Sequence, residues 1–308
     1  MSRVSIPRSY SEIPFQNVRI LTHPPNQPTA TKVMILEMNR PEKSNAFTEG
    51  LENDMVNAIR LFDLDDRVKV VVVSGAGRMF CAGADLDVGL HRAEGERSKD
   101  HRDGGGRLTV AIHRCRKPVI AAIHGSAVGV GMTMTLPMAI RVASATAKVG
   151  FVFARRGVVM EACSSFFLPR LIGFSKALYL TTTGTIVTAD SPAVRDLFAE
   201  VLPTPAEVLP RALEIATEVA QNTSSVSTYL MKEMMWRNPG SAEATHLLDS
   251  EIMYQLYDKK DKVEGIASFL EKRAPKFEGS VLHDVPDCVP WWPRIDVEKS
   301  HKPTLEKL

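Results

Sequence analysis

Two short segments rich in small residues, Phe80-Cys-Ala-Gly-Ala-Asp-Leu86 and Gly125-Ser-Ala-Val-Gly-Val-Gly131, are where the main chain of this 308-residue sequence could itself do chemistry. Each follows an apolar run, at 70–73 and at 119–123. Small side chains let a ligand approach the backbone closely, and free amides at a helix start hold a negative oxygen. Two such junctions side by side would form an oxyanion hole, the device that stabilises charge developing on an acyl oxygen. Composition and spacing alone fit two tight turns equally well, and both readings stand at this point.

Other reactive side chains stand apart. His124 precedes the second loop, but no serine or cysteine elbow accompanies it, so a hydrogen-bonded loop histidine is expected. His246 and Glu251 are five apart, not at the i, i+4 spacing of a helical metal pair. Cys81, Cys115, Cys163 and Cys288 have no CxxC or zinc spacing, and no metal is expected. They read as reduced structural thiols of an intracellular protein. Gly104 to Gly106 follow no buried strand, which argues against a nucleotide fingerprint.

Stepping outward, the elements that must position the loops are readable. A strand pair is predicted at 18–21 and 32–38, then a helix over 49–62 capped by Thr48, with Leu51, Met55, Ile59 and Phe62 at helical spacing. The runs at 68–74 and 117–125 suit strands buried on both faces. Short strands are expected at 140–143 and 199–202. The polar, charged stretch 87–107 reads as a mobile loop with some helix, and order returns with a helix at 109–113. Helical periodicity dominates from 164 onward, at 164–172, 175–183, 207–221, 225–236, 242–257 and 261–270. The alternation implies an α/β class with a largely parallel sheet. Residues 1–15 form a polar arm, 16–205 the α/β core, 206–277 a helical region, and 278–308 a tail whose prolines flank Trp291 and Trp292. That tail cannot build its own core and must dock on the body or on a neighbouring subunit.

Bulk properties exclude several classes. Lys and Arg number 38 against 36 Asp and Glu, a net charge of +2, without the concentrated basic face of a nucleic-acid binder. No apolar run approaches the roughly 20 residues of a membrane span, and the first residues lack a secretory signal. The last three residues, Glu306, Lys307 and Leu308, share two positions with the Ser-Lys-Leu peroxisomal address, so cytoplasmic and peroxisomal locations both stay open.

Four blocks, "MNRPEKSNAF" (38–47), "VVVVSGAGRMFCAGADL" (70–86), "KPVIAAIHGSAVGVGM" (117–132) and "DKVEGIASFLEKRAPKF" (261–277), resemble the enoyl-CoA hydratase/isomerase (crotonase) superfamily in its order and spacing. The resemblance implies a crotonase-like ββα spiral with a C-terminal helical trimerisation region, hence a homotrimer or hexamer. It implies an acyl-CoA substrate whose coenzyme A is part of the substrate, with no separate cofactor. By position, Ala84 and Val130 resemble the two oxyanion donors. Val130 replaces the middle residue of the usual glycine triplet, but a backbone N–H survives a valine, which adds only φ/ψ restriction and bulk. Lys43, Ala46, Ala82, Asp85 and Leu86 sit where the family lines adenine and pantetheine, and Lys272 where it meets coenzyme A phosphates.

Hydratases of this family resemble one another in two glutamates, since adding water needs one group to take a proton and another to give one. Here those positions hold Thr133 and about Phe153. Glu161, eight residues beyond Phe153, resembles the single acid of Δ3,Δ2-enoyl-CoA isomerases. One carboxylate suffices for a 1,3-proton shift, and its apolar surround would raise its pKa. Read without the family, Glu161 caps a helix starting near Ala162. The resemblance therefore implies an isomerase. The alternatives are a hydratase pairing Glu161 with a group from 87–107, and a non-catalytic acyl-CoA-binding homologue.

Overall fold

The structure is a computed structural model describing residues 5–88 and 94–297. Among them a six-stranded sheet runs in the order β1 (Val18–His23), β2 (Val33–Met38), β3 (Val70–Gly75), β4 (Val119–Ile123), β6 (Ile140–Ser144) and β9 (Glu200–Leu202). β1 is antiparallel to β2, and each later neighbour is parallel. The parallel strands are apolar on both sides because both faces are covered. Val71 and Val73 of β3 pack into one core with Met55, Ile59 and Phe62 of α1 (Glu49–Leu64), while Val70 and Val72 face a second core. That second core is closed by Val208, Ala212, Ala216 and Ala220 of α5 (Pro205–Asn222). Thr48 caps α1, its hydroxyl accepting from the Leu51 amide at 3.3 Å.

A second, three-stranded sheet joins β5 (Ala127–Val128), β7 (Lys148–Gly150) and β8 (Ile186–Thr188). These strands are too short to leave a periodic signal. β5 leads directly into the single-turn helix α3 (Val130–Thr133). α4 (Ser164–Thr183) joins the two helical stretches read at 164–172 and 175–183, with a kink at Gly173, where φ is 77°.

The stretch read as a mobile loop with some helix does carry helix, at its C-terminal end. α2 (Gly104–Arg114) begins at the glycine triplet, five residues before the expected helix, with Asp103 as its N-cap accepting from the Gly106 amide at 2.6 Å. α6 (Ser225–Trp236), α7 (Ala242–Leu256) and α8 (Lys260–Leu270) complete the chain. The tail docks on the body, with Val281 buried against Val226, Tyr229, Leu230 and Ile252. No described helix is long and apolar enough to cross a membrane. The C-terminal Glu306, Lys307 and Leu308 lie outside the described residues.

Candidate active site

The two small-residue loops leave the carboxyl ends of β3 and β4, where ligands bind in parallel α/β sheets, and main-chain bonds hold them together. The Cys81 amide donates to Ser126 O at 3.1 Å and the Val128 amide to Cys81 O at 3.1 Å. Gly83 has φ of +101° and lies so close to the other loop that a Cβ there would meet Val128 O at 2.9 Å. This approach is why that turn needs glycine.

From this clamp two amides emerge without acceptors among the described residues: those of Ala84, exposed and bridged to Phe47, and Val130, the first residue of α3. An amide at a helix start has no intrahelical partner, so the Val130 N–H is available by construction. The valine side chain is buried, so the substitution leaves the donor in place.

Glu161 stands against α3. The Thr133 hydroxyl, one turn after Val130, donates to Glu161 Oε1 at 2.6 Å. The capping alternative does not hold: Cys163 is the N-cap of α4, and the Glu161 carboxyl takes no part in that cap. Ala162 and Cys163 adopt left-handed φ of 54° and 51°, and the Ser164 amide closes back on the Glu161 carbonyl at 2.9 Å. This tight turn turns the side chain toward α3 and α2. There, a Cβ on Gly105 would meet Glu161 Oε2 at 1.7 Å, so the glycine makes room for the acid.

Burial pushes the Glu161 carboxyl up to about 7. The Thr133 bond opposes this, and the charge and hydrogen bond of Asp103 add to it. Asp103 is itself fixed, its Oδ1 accepting from the Gly106 amide at 2.6 Å and the Ala162 amide at 3.1 Å. Asp103 is a site residue that no sequence motif singles out. The legible signal was an N-cap aspartate before a helix start, hidden by three glycines.

Comparison with known proteins follows the same line. Residues 29–280 match the family model described as enoyl-CoA hydratase/isomerase. The chain belongs to that family. Enoyl-CoA hydratase AFT3-1 of Alternaria alternata is 45% identical, over 91% of this chain and 95% of its own length. Enoyl-CoA hydratase ACTT3 of the same organism is 45% identical over 89% of this chain and 90% of its own. A probable enoyl-CoA hydratase/isomerase from Mycobacterium abscessus has a TM-score of 0.76 at 28% identity, covering 85% of this chain and all of that one. The α/β body with its helical C-terminal region is the crotonase fold, and the chain is an enzyme of the hydratase/isomerase type acting on acyl-CoA.

Within this family member, five of the six residues expected to line coenzyme A come together. The Ala82 amide donates to Ser44 O at 3.1 Å, the Phe47 amide to Gly83 O at 2.8 Å, and the Asp85 amide to Phe47 O at 2.9 Å. This knits the loop carrying Lys43 and Ala46 to the one carrying Ala82, Asp85 and Leu86. Asp85 is buried and pairs with Arg40 at 3.1 Å, and Arg40 also donates to the Ala46 carbonyl. Asp85 thus braces the two loops. Lys43 is exposed and pairs with Asp87 at 2.9 Å, and Leu86 is 63% exposed beside the clamp.

Lys272, whose amide donates to Phe269 O at 3.2 Å, has no hydrogen bond or ion pair to these five among the described residues. It follows α8, whose first turn is anchored by Asp261 to Ser224 and Gly279, while Ser280 bonds Asp66, just ahead of β3. That is the end of the sheet opposite the two loops. His124 is a bonded loop histidine, its Nε2 lying 3.0 Å from Gly77 O. His246 and Glu251 lie on α7, and no group of three or more His, Cys, Asp or Glu among the described residues could hold a metal.

Proposed function

We propose that the protein shifts a double bond from the 3 to the 2 position of an acyl-CoA thioester. Glu161 removes the proton from C2, and the C–H electrons pass into the carbonyl to form a dienolate. The amides of Ala84 and Val130 hold its oxygen. Glu161 then returns the proton at C4, and the C2–C3 double bond forms as the carbonyl is restored. The supporting observation is the Glu161 carboxyl, largely buried, pushed up to about 7 and tied to the helix that begins with Val130. A carboxyl titrating near neutral pH suits a group that must both take and return a proton.

Hydration of a 2-enoyl-CoA is the second reading. It is favoured by Asp103 beside Glu161, which supplies two carboxyls, and by relatives named as hydratases. Against it, Asp103 is already engaged as the N-cap of α2, its Oδ1 accepting from the Gly106 and Ala162 amides. Separate incubation with 3-enoyl-CoA and 2-enoyl-CoA, following bond migration and water addition, decides between them. We expect migration, reduced about 10³-fold in Glu161→Gln. Hydration without migration would overturn the isomerase reading.

The lining by Lys43, Ala46, Ala82, Asp85 and Leu86 belongs to this proposal, with Lys272 reaching coenzyme A only across a subunit boundary. We expect a homotrimer or a dimer of trimers. Its support is apolar surface on the later helices, with Leu247 72%, Tyr254 75%, Phe269 81% and Leu270 72% exposed. A monomer by light scattering would contradict it.

A further inference from the structure

The family match ends at residue 280, and the chain beyond it returns across the molecule toward the acid. Val281, Val285, Val289 and Trp291 pack with Tyr229, Leu230 and Ile252 of α6 and α7. The Trp291 indole N–H donates to Arg237 O at 3.0 Å, and the Arg237 guanidinium lies 4.5 Å over the Trp292 ring. From that anchor the tail runs along α2. The Ile295 carbonyl accepts from Arg114, the last residue of α2, at 2.6 Å. The Val297 carbonyl accepts from Arg102 Nε at 2.6 Å. Two tail carbonyls therefore hold both ends of one helix.

The start of that helix walls the acid. Asp103 follows Arg102, caps α2 and also bonds the Ala162 amide beside Glu161. Gly105 leaves no room for the carboxyl to move toward α2. We propose that residues 295–297 are a positioning strap for the reaction: through Arg102 they fix Asp103 and the first turn of α2, and these fix Glu161. This rests on the reading of Glu161 as the proton carrier. Arg102 touches no reacting atom in this scheme. The groups facing Glu161 are Asp103 from α2, the Thr133 hydroxyl from α3, and the thiols of Cys81 and Cys163. The Glu52–Arg107 ion pair (2.6 Å) spans α1 and α2 beside them. Of these, Asp103 is the one next in the chain to Arg102, whose guanidinium meets the strap at Val297 O and also donates to the Lys99 and His101 carbonyls.

The test compares the full chain with a truncation after Arg294, which keeps the Trp291 and Trp292 anchor, and with Arg102→Ala and Arg102→Lys. The activity is whichever of migration or hydration the wild type shows. In the truncation and Arg102→Ala we expect kcat to fall about tenfold with KM nearly unchanged, because a small displacement of a catalytic group costs rate more than binding. The midpoint of the kcat–pH profile should move to lower pH as Asp103 leaves Glu161, and Arg102→Lys should recover part of both. Wild-type kcat and pH midpoint in Arg102→Ala would overturn the strap, and that point variant leaves the tail's apolar anchor intact if the truncation does not fold. Full turnover by Glu161→Gln would instead overturn the reading of the acid on which the strap rests.

Discussion

Thr133 Oγ1 donates to Glu161 Oε1 across 2.6 Å, one turn after the amide of Val130. The residue standing where a hydratase glutamate is expected thus becomes the hydroxyl that orients a different acid. The Glu161 carboxyl, in the turn before α4, is thereby held against the helix that follows the second small-residue loop.

With Glu161 as the initial base, activity should rise with pH through about 7 and level off above it, since only the carboxylate can take the C2 proton. A kcat profile flat from pH 5 to 8 would be incompatible with this assignment.

Thr133→Val and Asp103→Asn should move that midpoint in opposite directions. The Thr133 bond stabilises the carboxylate, so its loss raises the Glu161 pKa and shifts the profile to higher pH. Removing the Asp103 charge lowers the pKa and shifts the profile to lower pH, while asparagine keeps the helix cap. Two shifts of the same sign would show that neither residue faces the acid as described.

Gly105→Ala places a Cβ 1.7 Å from Glu161 Oε2, which forces the acid or α2 to move. We expect a folded protein with kcat down about 10²-fold. Circular dichroism and steady-state rates on one sample check both halves, and wild-type kcat would sink the idea.

Val130→Pro deletes one oxyanion donor at a first helical position, where proline's fixed φ is tolerated. Loss of one such donor costs about 10²–10³ in kcat. Full activity in this variant would place the thioester oxygen elsewhere.

Glu161 also affects stability. Its pKa rises from 4.5 to about 7 on folding. Below about pH 4.5 it is protonated in both states and contributes nothing. Between there and pH 7 the unfolded chain has released the proton and the folded chain keeps it, so stability falls as pH rises, by up to about 3 kcal/mol above pH 7. Glu161→Gln should therefore melt higher than wild type at pH 8 and alongside it at pH 5, less whatever the Thr133 bond to the charge contributes. Thermal melts at the two pH values read this directly.

The two loops were legible because their close main-chain approach demands small residues after buried strands, and both properties are written in consecutive residues. Glu161 was legible through the register of the surrounding blocks. Its partners were not. Asp103 opens a helix through three glycines, each carrying a penalty of about 1 kcal/mol in a helix, so local propensity reads the segment as loop. Gly104 and Gly105 lie close against Glu52 and Glu161, and that information lies on distant parts of the chain, while Gly106 makes room for the Asp103 cap itself. The same holds for the tail, where unrelated carbonyls meet Arg102 and Arg114 with no periodicity to announce it. Gly173 ends one helical period and begins another inside α4, so the join appears only in space.

Both groups proposed as oxyanion donors, at Ala84 and Val130, are peptide N–H groups, in loops clamped to each other by main-chain hydrogen bonds. Point mutations exchange side chains and leave the peptide in place, so on the proposed reading the acid–base positions on α3, before α4 and at the 103 turn can change while the two amides stay where they are. Such a scaffold can sample neighbouring reactions in single steps, each intermediate still binding and polarising its thioester, and need not pass through an inert ancestor.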